Sequence, residues 1–217
     1  MNVFKQMKRC FPRAAGLFLL AVLFALSGCI SMPEAQREIM EGRAEAERLG
    51  DIDESQIKMR LPDESAKPPV SLAELYKELE FNPDSAGIHR VALFDPEGTF
   101  YAKKFKDEAV KKVAELYPNV EPVDNEADAF RHAYFSFRLA DAIGVKRAKK
   151  FTDAYEVSNI NKLGGRCMDL WNNREGRRMS VESQNLKTSD RRAVAEDLVK
   201  EAIKSKRLML EPFLLLD

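Results

Sequence analysis

Three short polar clusters between residues 125 and 178 carry the side chains best suited to chemistry. They are Asn125–Ser136 (NEADAFRHAYFS), Thr152–Glu156 (TDAYE) and Met168–Arg177 (MDLWNNREGR). They contain one of the two histidines, the only tryptophan and a dense set of Asp, Asn, Glu and Arg. An unpaired polar group costs about 1–3 kcal/mol to bury. We therefore expect the clusters to satisfy one another at a common polar centre.

Helical spacing places the polar side chains of the first cluster on one face. Asp128, Arg131, His132 and Ser136 recur at intervals of three or four residues and line one stripe of a predicted helix. Asp128 lies one turn before His132, where a carboxylate can orient an imidazole that acts as a general base. The first cluster therefore offers a candidate base with its orienting group.

The other two clusters supply the remaining polar groups. Asp169, Asn172 and Asn173 lie at i, i+3 and i+4, which again predicts a single face, and Arg177 follows one turn later. Glu156 lies on the intervening helix, which is expected to run antiparallel to the first after the turn at Gly144.

A hydrolase is the first chemistry that fits these residues. His132 would act as the base, and Asp128 or Glu156 would orient it. Asn173 or Arg177 would then steady a developing oxyanion.

Two other roles also fit these residue types. In a metal site, His132, Glu156 and Asp169 would bind a hard or borderline cation. In a purely structural network, Arg131–Glu156 and His132–Asp169 pairs would hold three helices in register. We predict a catalytic set of His132, Glu156, Asp169, Arg131, Asn173 and Arg177, a ligand-binding set of Asp128, Ser136 and Asn172, and no metal or cofactor.

Residues 1–28 have the features of a signal peptide that is removed. Met1–Arg13 is basic, and the apolar run Ala14–Leu26 is too short to span a bilayer, which needs roughly 20 residues. Leu26–Cys29 (LSGC) follows and resembles the lipobox of bacterial lipoproteins, which implies that Cys29 is lipidated and holds the chain on a membrane. Ile30 after this cysteine implies, by the same resemblance, the outer membrane of a cell envelope.

The cysteines and the net charge argue against a disulfide-stabilised domain and against a nucleic-acid-binding protein. Cys10 would leave with the signal peptide and Cys29 would be acylated, so Cys167 has no partner for an intramolecular disulfide. Four of the 35 basic residues and none of the 35 acidic residues lie in residues 1–28, which leaves a charge of −4 on the mature chain. This balance lacks the basic footprint of a nucleic-acid-binding protein.

The rest of the chain predicts a mainly α, compact multi-helix domain over residues 71–217, preceded by a lipidated N-terminus and polar tether over 29–70. Ser71 and Glu74 form a capping-box pattern for the first helix. A small β-hairpin is expected near residues 89–102, around the sequence Asp-Pro-Glu-Gly. Residues 159–166, with two adjacent glycines, are expected to form a loop.

The motif core at 125–178 resembles a helical bacterial domain of unassigned function that occurs in lipoproteins and in polymorphic-toxin-like proteins. The likeness rests on DAFRHAYFS, a short A-x-E element and MDLWNNREGR. Where that family commonly has A-H-E, this chain has Ala154-Tyr155-Glu156. The resemblance implies that one group of residues acts together: Arg131, His132, Glu156, Asp169, Asn172, Asn173, Gly176 and Arg177.

These observations together predict an envelope lipoprotein whose helical domain binds a small-molecule ligand or an envelope protein. The alternative is a hydrolase of lipid or peptidoglycan that uses His132 as its general base.

Overall fold

The computed structural model describes residues 57–62, 69–159 and 162–212 and the backbone of 215–216. Within these ranges the chain is mainly helical, as predicted. The elements are β1 (Ile57–Met59), β2 (Val70–Ser71), α1 (Leu72–Glu78), α2 (Ile88–Phe94), α3 (Pro96–Leu116), α4 (Glu126–Ile143), α5 (Val145–Ser158), α6 (Leu163–Glu182), α7 (Thr188–Lys204) and β3 (Leu215–Leu216). The predicted signal peptide and most of the predicted tether lie outside the described residues.

The small sheet joins the start of the described chain to its end. Its order is β2-β1-β3, and both pairings are antiparallel. Ile57 and Met59 of β1 are buried in the core. Residues before the predicted boundary at 71 therefore pack in the same core as the helices that follow. Ser71 caps α1 with the expected capping box, in which its side chain and that of Glu74 each accept a backbone N–H.

The predicted hairpin at residues 89–102 is wrong, because this segment forms α2 and the start of α3. Asp95 accepts a hydrogen bond from the backbone N–H of Gly98 at 2.9 Å. Pro96 follows at the first helical position, where its missing N–H costs nothing. The Asp-Pro-Glu-Gly sequence therefore starts a helix instead of closing a turn between strands.

Helix α4 occupies the middle of the fold and packs against α3, α5, α6 and α7. Phe130 and Phe137 on this helix are fully buried in the main apolar core. Gly144 ends α4 with φ of +83°, a left-handed conformation that favours glycine. Helix α5 starts immediately after it, so α4 and α5 are neighbours joined by a single residue.

Helix α6 begins earlier than its glycines led us to expect. Gly164 and Gly165 lie in its first turn, so the predicted loop at residues 159–166 is wrong in its second half. A β-carbon on Gly165 would lie 2.5 Å from Oδ1 of Asp124. Glycine is needed here because the start of α6 passes directly over the segment that precedes α4.

The segment after α7 is held against α6. The indole N–H of Trp171 donates to the carbonyl of Arg207 at 3.0 Å. The Arg207 guanidinium contacts Glu175, a buried carboxylate that also accepts from Arg174 and Arg178. Across the described part of the chain, no helix combines the length and apolar character needed to cross a bilayer.

Candidate functional site

The site is built from the first two turns of α4. Asn125 caps this helix by accepting a hydrogen bond from the backbone N–H of Asp128 at 3.1 Å, and Oδ2 of Asp128 accepts from the N–H of Asp124 at 3.0 Å. The carboxylate of Asp128 thus lies at the positive end of the helix dipole. Its Oδ1 accepts from Arg131, including Nε at 3.1 Å. Asp128 is therefore held in place from three sides.

The imidazole of His132 lies one turn further along α4 and is only 4% exposed. Its Nε2 is 3.1 Å from Oδ1 of Asp169 on α6 and 3.5 Å from Oδ1 of Asp128. On the opposite side of the ring, Nδ1 is 3.3 Å from Oδ1 of Asn173 and 4.0 Å from Oε1 of Glu156 on α5. Three helices therefore meet around one imidazole, as the sequence predicted.

Asn173 sets the proton arrangement of this ring. Its Oδ1 accepts from the hydroxyl of Ser136 at 2.7 Å, and its Nδ2 donates to Oε1 of Glu156 at 3.3 Å. An amide oxygen only accepts hydrogen bonds, so Nδ1 of His132 must be the nitrogen that carries the proton. The lone pair of the neutral imidazole is then on Nε2, directed at the two aspartates.

Two polar atoms of the centre are buried without a hydrogen-bond partner among the described residues. They are Nε2 of His132 and Oε2 of Glu156. His132 and Glu156 are 4% and 1% exposed, so bulk water does not solvate these atoms. Buried polar atoms in native proteins nearly always have a partner. The centre therefore differs from a closed structural network, in which each of these atoms would be paired.

Burial dominates the electrostatics of the centre. Desolvation lowers the pKa of His132 to about 4, and the positive charge of Arg131 acts in the same direction. Desolvation raises the pKa of Glu156 to about 8 and raises that of Asp169 well above its ordinary value, with a further rise from the neighbouring carboxylates. In the absence of a ligand, the centre disfavours both a charged imidazole and several ionised carboxylates.

Seven of the nine predicted site residues meet at this centre. They are Asp128, Arg131, His132, Ser136, Glu156, Asp169 and Asn173. The predicted pairing of Arg131 with Glu156 is wrong, since the guanidinium binds Asp128 three residues earlier on its own helix. The predicted pairing of His132 with Asp169 is present.

The other two predicted residues lie away from the centre. Asn172 makes two hydrogen bonds with the backbone of Met209, of 2.8 and 2.9 Å, which hold its side chain away from His132. Arg177 donates to the hydroxyl of Thr152 at 2.7 Å and is not among the side chains that surround His132. Its burial lowers the pKa of the guanidinium to about 10. Adjacent positions on a helix differ by about 100° in direction, which separates Asn172 from Asn173.

Two further buried polar residues, Thr152 and Glu175, bind arginines of α6, and neither role was predicted from the sequence. Thr152 lies in the second cluster, but nothing in its spacing indicated that it would receive the side chain of Arg177. Glu175 is 1% exposed and binds three arginines. The sequence offered one signal for Glu175, namely its position between Arg174 and Arg178 on the same helix.

A comparison with protein families covers the segment that forms this centre. A family model described as "Domain of unknown function (DUF6973)" matches residues 89–207. The chain belongs to the DUF6973 family. The DUF6973 match contains all seven residues of the centre and leaves out β1, β2 and α1. No curated protein matches the chain, and no solved structure does.

Within the DUF6973 domain, three of the central residues offer atoms that could bind a common ion. They are Asp128, His132 and Asp169, whose potential ligand atoms all lie within 4.8 Å of one another. This set differs from the metal-binding set considered from the sequence, because Asp128 takes the place of Glu156.

A separate cavity of about 300 Å³ lies between the C-terminal part of α6 and α7. Ser183, Leu198 and neighbouring residues line it, and none of the predicted site residues does.

Proposed function

We propose that this protein is an envelope lipoprotein, anchored through a lipidated Cys29, whose DUF6973 domain binds a small ligand at the polar centre around His132. The observation that carries the ligand-binding role is the buried Nε2 of His132, which has no hydrogen-bond partner among the described residues. Leaving such an atom unpaired costs about 1–3 kcal/mol. A ligand that binds Nε2 supplies the missing interaction and recovers this free energy. If His132 had only a structural role, we would expect Nε2 to be paired with another side chain.

The surrounding contacts support a binding site with defined geometry. Asn173 fixes the tautomer of His132, and Asp128 is held by Arg131 and by the backbone of Asp124. Rigid support of this kind positions the groups that face a ligand before it arrives. Because His132 is 4% exposed, the ligand must be small enough to be enclosed between α4, α5 and α6.

The ligand-binding role is tested by thermal unfolding of the purified full chain in detergent against a panel of small ions and metabolites. We expect at least one compound to raise the Tm of the wild type and to leave that of the His132→Ala variant unchanged. The variant should still be folded without ligand, which a cooperative unfolding transition shows. A loss of about 2–4 kcal/mol on replacement, with no ligand response in the wild type, would support the structural role instead.

The anchor is tested separately by metabolic labelling with a fatty-acid analogue. The Cys29→Ser variant should lose the label and leave the membrane fraction, because the thiol is the acylated group in the predicted chemistry. Cys10→Ser is the matched control and should retain both the label and the membrane location. Labelling of Cys29→Ser at the wild-type level would show that the chain is not a lipoprotein of this kind.

A hydrolase is the second candidate, and one observation favours it. The pKa of His132 lies at about 4, so the imidazole is neutral at pH 7, and the pKa of Glu156 lies at about 8. A neutral base beside a carboxyl group that titrates near neutrality is typical of general acid–base sites. Release of product from lipid or peptidoglycan substrates by the wild type, abolished by His132→Ala, would establish this activity.

A further inference from the structure

We propose that the ligand of the polar centre is a divalent cation of the Zn²⁺ or Mn²⁺ type, bound by one carboxylate oxygen each from Asp128 and Asp169 and by Nε2 of His132. This inference rests on the proposed ligand-binding function and narrows it to one chemical class. The three residues come from two helices, since Asp128 and His132 lie one turn apart on α4 and Asp169 lies on α6.

The two separations from Nε2 of His132 fit a shared ion. Ligand atoms about 2.0–2.2 Å from one metal, at angles between octahedral and tetrahedral, lie roughly 2.8–3.6 Å from each other. Nε2 of His132 is 3.1 Å from Oδ1 of Asp169 and 3.5 Å from Oδ1 of Asp128, and both separations fall within this range. The third separation, between carboxylate oxygens of Asp128 and Asp169, is at most 4.8 Å. An ion could therefore bind all three atoms after a small movement of the carboxylates.

The tautomer of His132 is the one that metal binding requires. Metal-bound histidines usually donate the N–H of the other ring nitrogen to a carbonyl or carboxylate. Nδ1 of His132 faces Oδ1 of Asn173 at 3.3 Å, which leaves the lone pair of Nε2 free to bind a metal. The carboxylate of Asp128 is supported in the same way by Arg131 and by the backbone N–H of Asp124. Two of the three ligands thus have the outer contacts that orient them.

The convergence of lone pairs on one point favours a positive centre there. Nε2 of His132 is buried, has no hydrogen-bond partner among the described residues and faces oxygen atoms of two aspartates. Electron-rich atoms at these distances repel one another unless a proton or a metal ion lies between them. A cation at the point where the three atoms converge would bind all of them at once, whereas a proton would bridge only one pair.

The formal charges near the centre agree with a divalent ion. Asp124, Asp128, Glu156 and Asp169 carry four negative charges when ionised, and Arg131 and Arg166 carry two positive charges. With a neutral His132 the sum is −2, which one divalent cation neutralises. A buried site is most stable when its charges are balanced, because an uncompensated charge in the interior carries a large desolvation cost.

The donor atoms also select among divalent cations. Ca²⁺ takes six to eight oxygen ligands and Mg²⁺ keeps several water molecules, and neither favours imidazole. Zn²⁺ and Mn²⁺ accept mixed nitrogen and carboxylate ligands. We therefore expect Zn²⁺ and Mn²⁺ to bind at least ten-fold more tightly than Ca²⁺ or Mg²⁺.

The test is equilibrium dialysis of the full chain in detergent, stripped with a chelator and then exposed to each metal alone. The wild type should bind one equivalent of Zn²⁺ or Mn²⁺, and Asp169→Asn should weaken that binding at least ten-fold while nearly preserving the shape of the side chain. Asp141→Asn is the matched control, because Asp141 is a partly buried carboxylate on the same helix as His132 that binds Arg191 instead. Its metal binding should equal that of the wild type.

Thermal unfolding of the same three proteins shows whether each is folded and supplies a second readout. The metal should raise the Tm of the wild type and of Asp141→Asn but not that of Asp169→Asn. Absence of stoichiometric Zn²⁺ or Mn²⁺ binding in the wild type, or equal binding in Asp169→Asn, would overturn the metal assignment. If an uncharged compound nevertheless stabilises the wild type and not His132→Ala, the metal assignment fails and the proposed ligand-binding function stands.

Discussion

Gly176 on α6 lies so close to Ala133 on α4 that a β-carbon at Gly176 would be 2.1 Å from the carbonyl oxygen of Ala133. The two helices therefore cross with their backbones in contact at this point. Ala133 is adjacent to His132, and Asn173 lies three residues before Gly176. The crossing thus fixes the distance between the imidazole on one helix and its amide partner on the other.

Replacement of Gly176 by alanine should separate these helices. The added methyl group overlaps with a backbone carbonyl, which cannot rotate away, so we expect a loss of about 1–3 kcal/mol in the free energy of unfolding. Chemical denaturation measures this value.

Gly164→Ala is the control on the same helix, where the atom nearest to an added β-carbon is in the side chain of Pro212, at 3.0 Å. Alanine favours helix by about 1 kcal/mol over glycine, so the control should be nearly neutral. Equal stability of the two variants would contradict the close crossing.

The neighbouring residues Asn172 and Asn173 should behave differently towards a ligand. Each makes buried hydrogen bonds, so alanine at either position should cost about 2–4 kcal/mol. Only Asn173 contacts His132, whereas Asn172 holds the backbone of Met209. Stabilisation by Zn²⁺ or Mn²⁺, measured as a rise in Tm, should survive in Asn172→Ala and disappear in Asn173→Ala. The reverse pattern would show that the polar centre has been assigned to the wrong face of α6.

The stability of the chelator-treated protein should fall between pH 6.5 and pH 8. The folded state raises the pKa of Glu156 from 4.5 to about 8, so it binds a proton in this range that the unfolded state has lost. Each such group lowers the free energy of unfolding by about 1.4 kcal/mol per pH unit as the pH rises. His132, with its pKa lowered to about 4 from 6.5, acts in the opposite direction but only between these two values.

Urea unfolding at pH 6.5 and pH 8 isolates the contribution of Glu156. Glu156→Gln cannot ionise, so its stability should fall less steeply over this interval, with the raised pKa of Asp169 accounting for any remaining slope. Glu182→Gln, at an exposed position outside the centre, should retain the wild-type slope. A wild-type slope in Glu156→Gln would mean that Glu156 is already ionised at pH 6.5.

The buried carboxylate of Glu175 should be important for stability. Its Oε1 accepts from Arg174 and Arg178 and its Oε2 accepts from Arg207, and it is 1% exposed. Removal of the charge in Glu175→Gln leaves these partly exposed arginines without their shared partner, so we expect a loss of about 1–3 kcal/mol. Glu182→Gln is the control, because the side chain of Glu182 binds two of the same arginines at 49% exposure. It should cost less than about 1 kcal/mol in chemical denaturation.

Local sequence signals predicted those parts of the fold that depend on neighbouring residues. The capping box at Ser71 and the turn at Gly144 both lie where the pattern placed them. The convergence of His132, Glu156 and Asp169 also followed from helical spacing, because buried polar faces must find partners. Interactions within about one helical turn are encoded by adjacent residues and can be read from a single sequence.

The errors arose where distant contacts overrode local preference. Gly164 and Gly165 break helices in isolation, but α6 continues through them because its start must pass close to Asp124. Asp-Pro-Glu-Gly fits a turn as well as a helix start, and the packing of α2 against α5 decides between them. Asn172 and Asn173 are identical in type, and only the position of Met209, 37 residues away, distinguishes their roles.

The 4% exposure of His132 has a kinetic consequence. Anything that occupies the centre must enter when α4, α5 and α6 separate transiently, so the rate of entry is set by the frequency of that opening and not by diffusion. Exit is limited by the same event. An occupant taken up while the chain folds would therefore stay for a long time after its concentration outside has dropped, and the occupancy of purified material would record the conditions under which the chain was made.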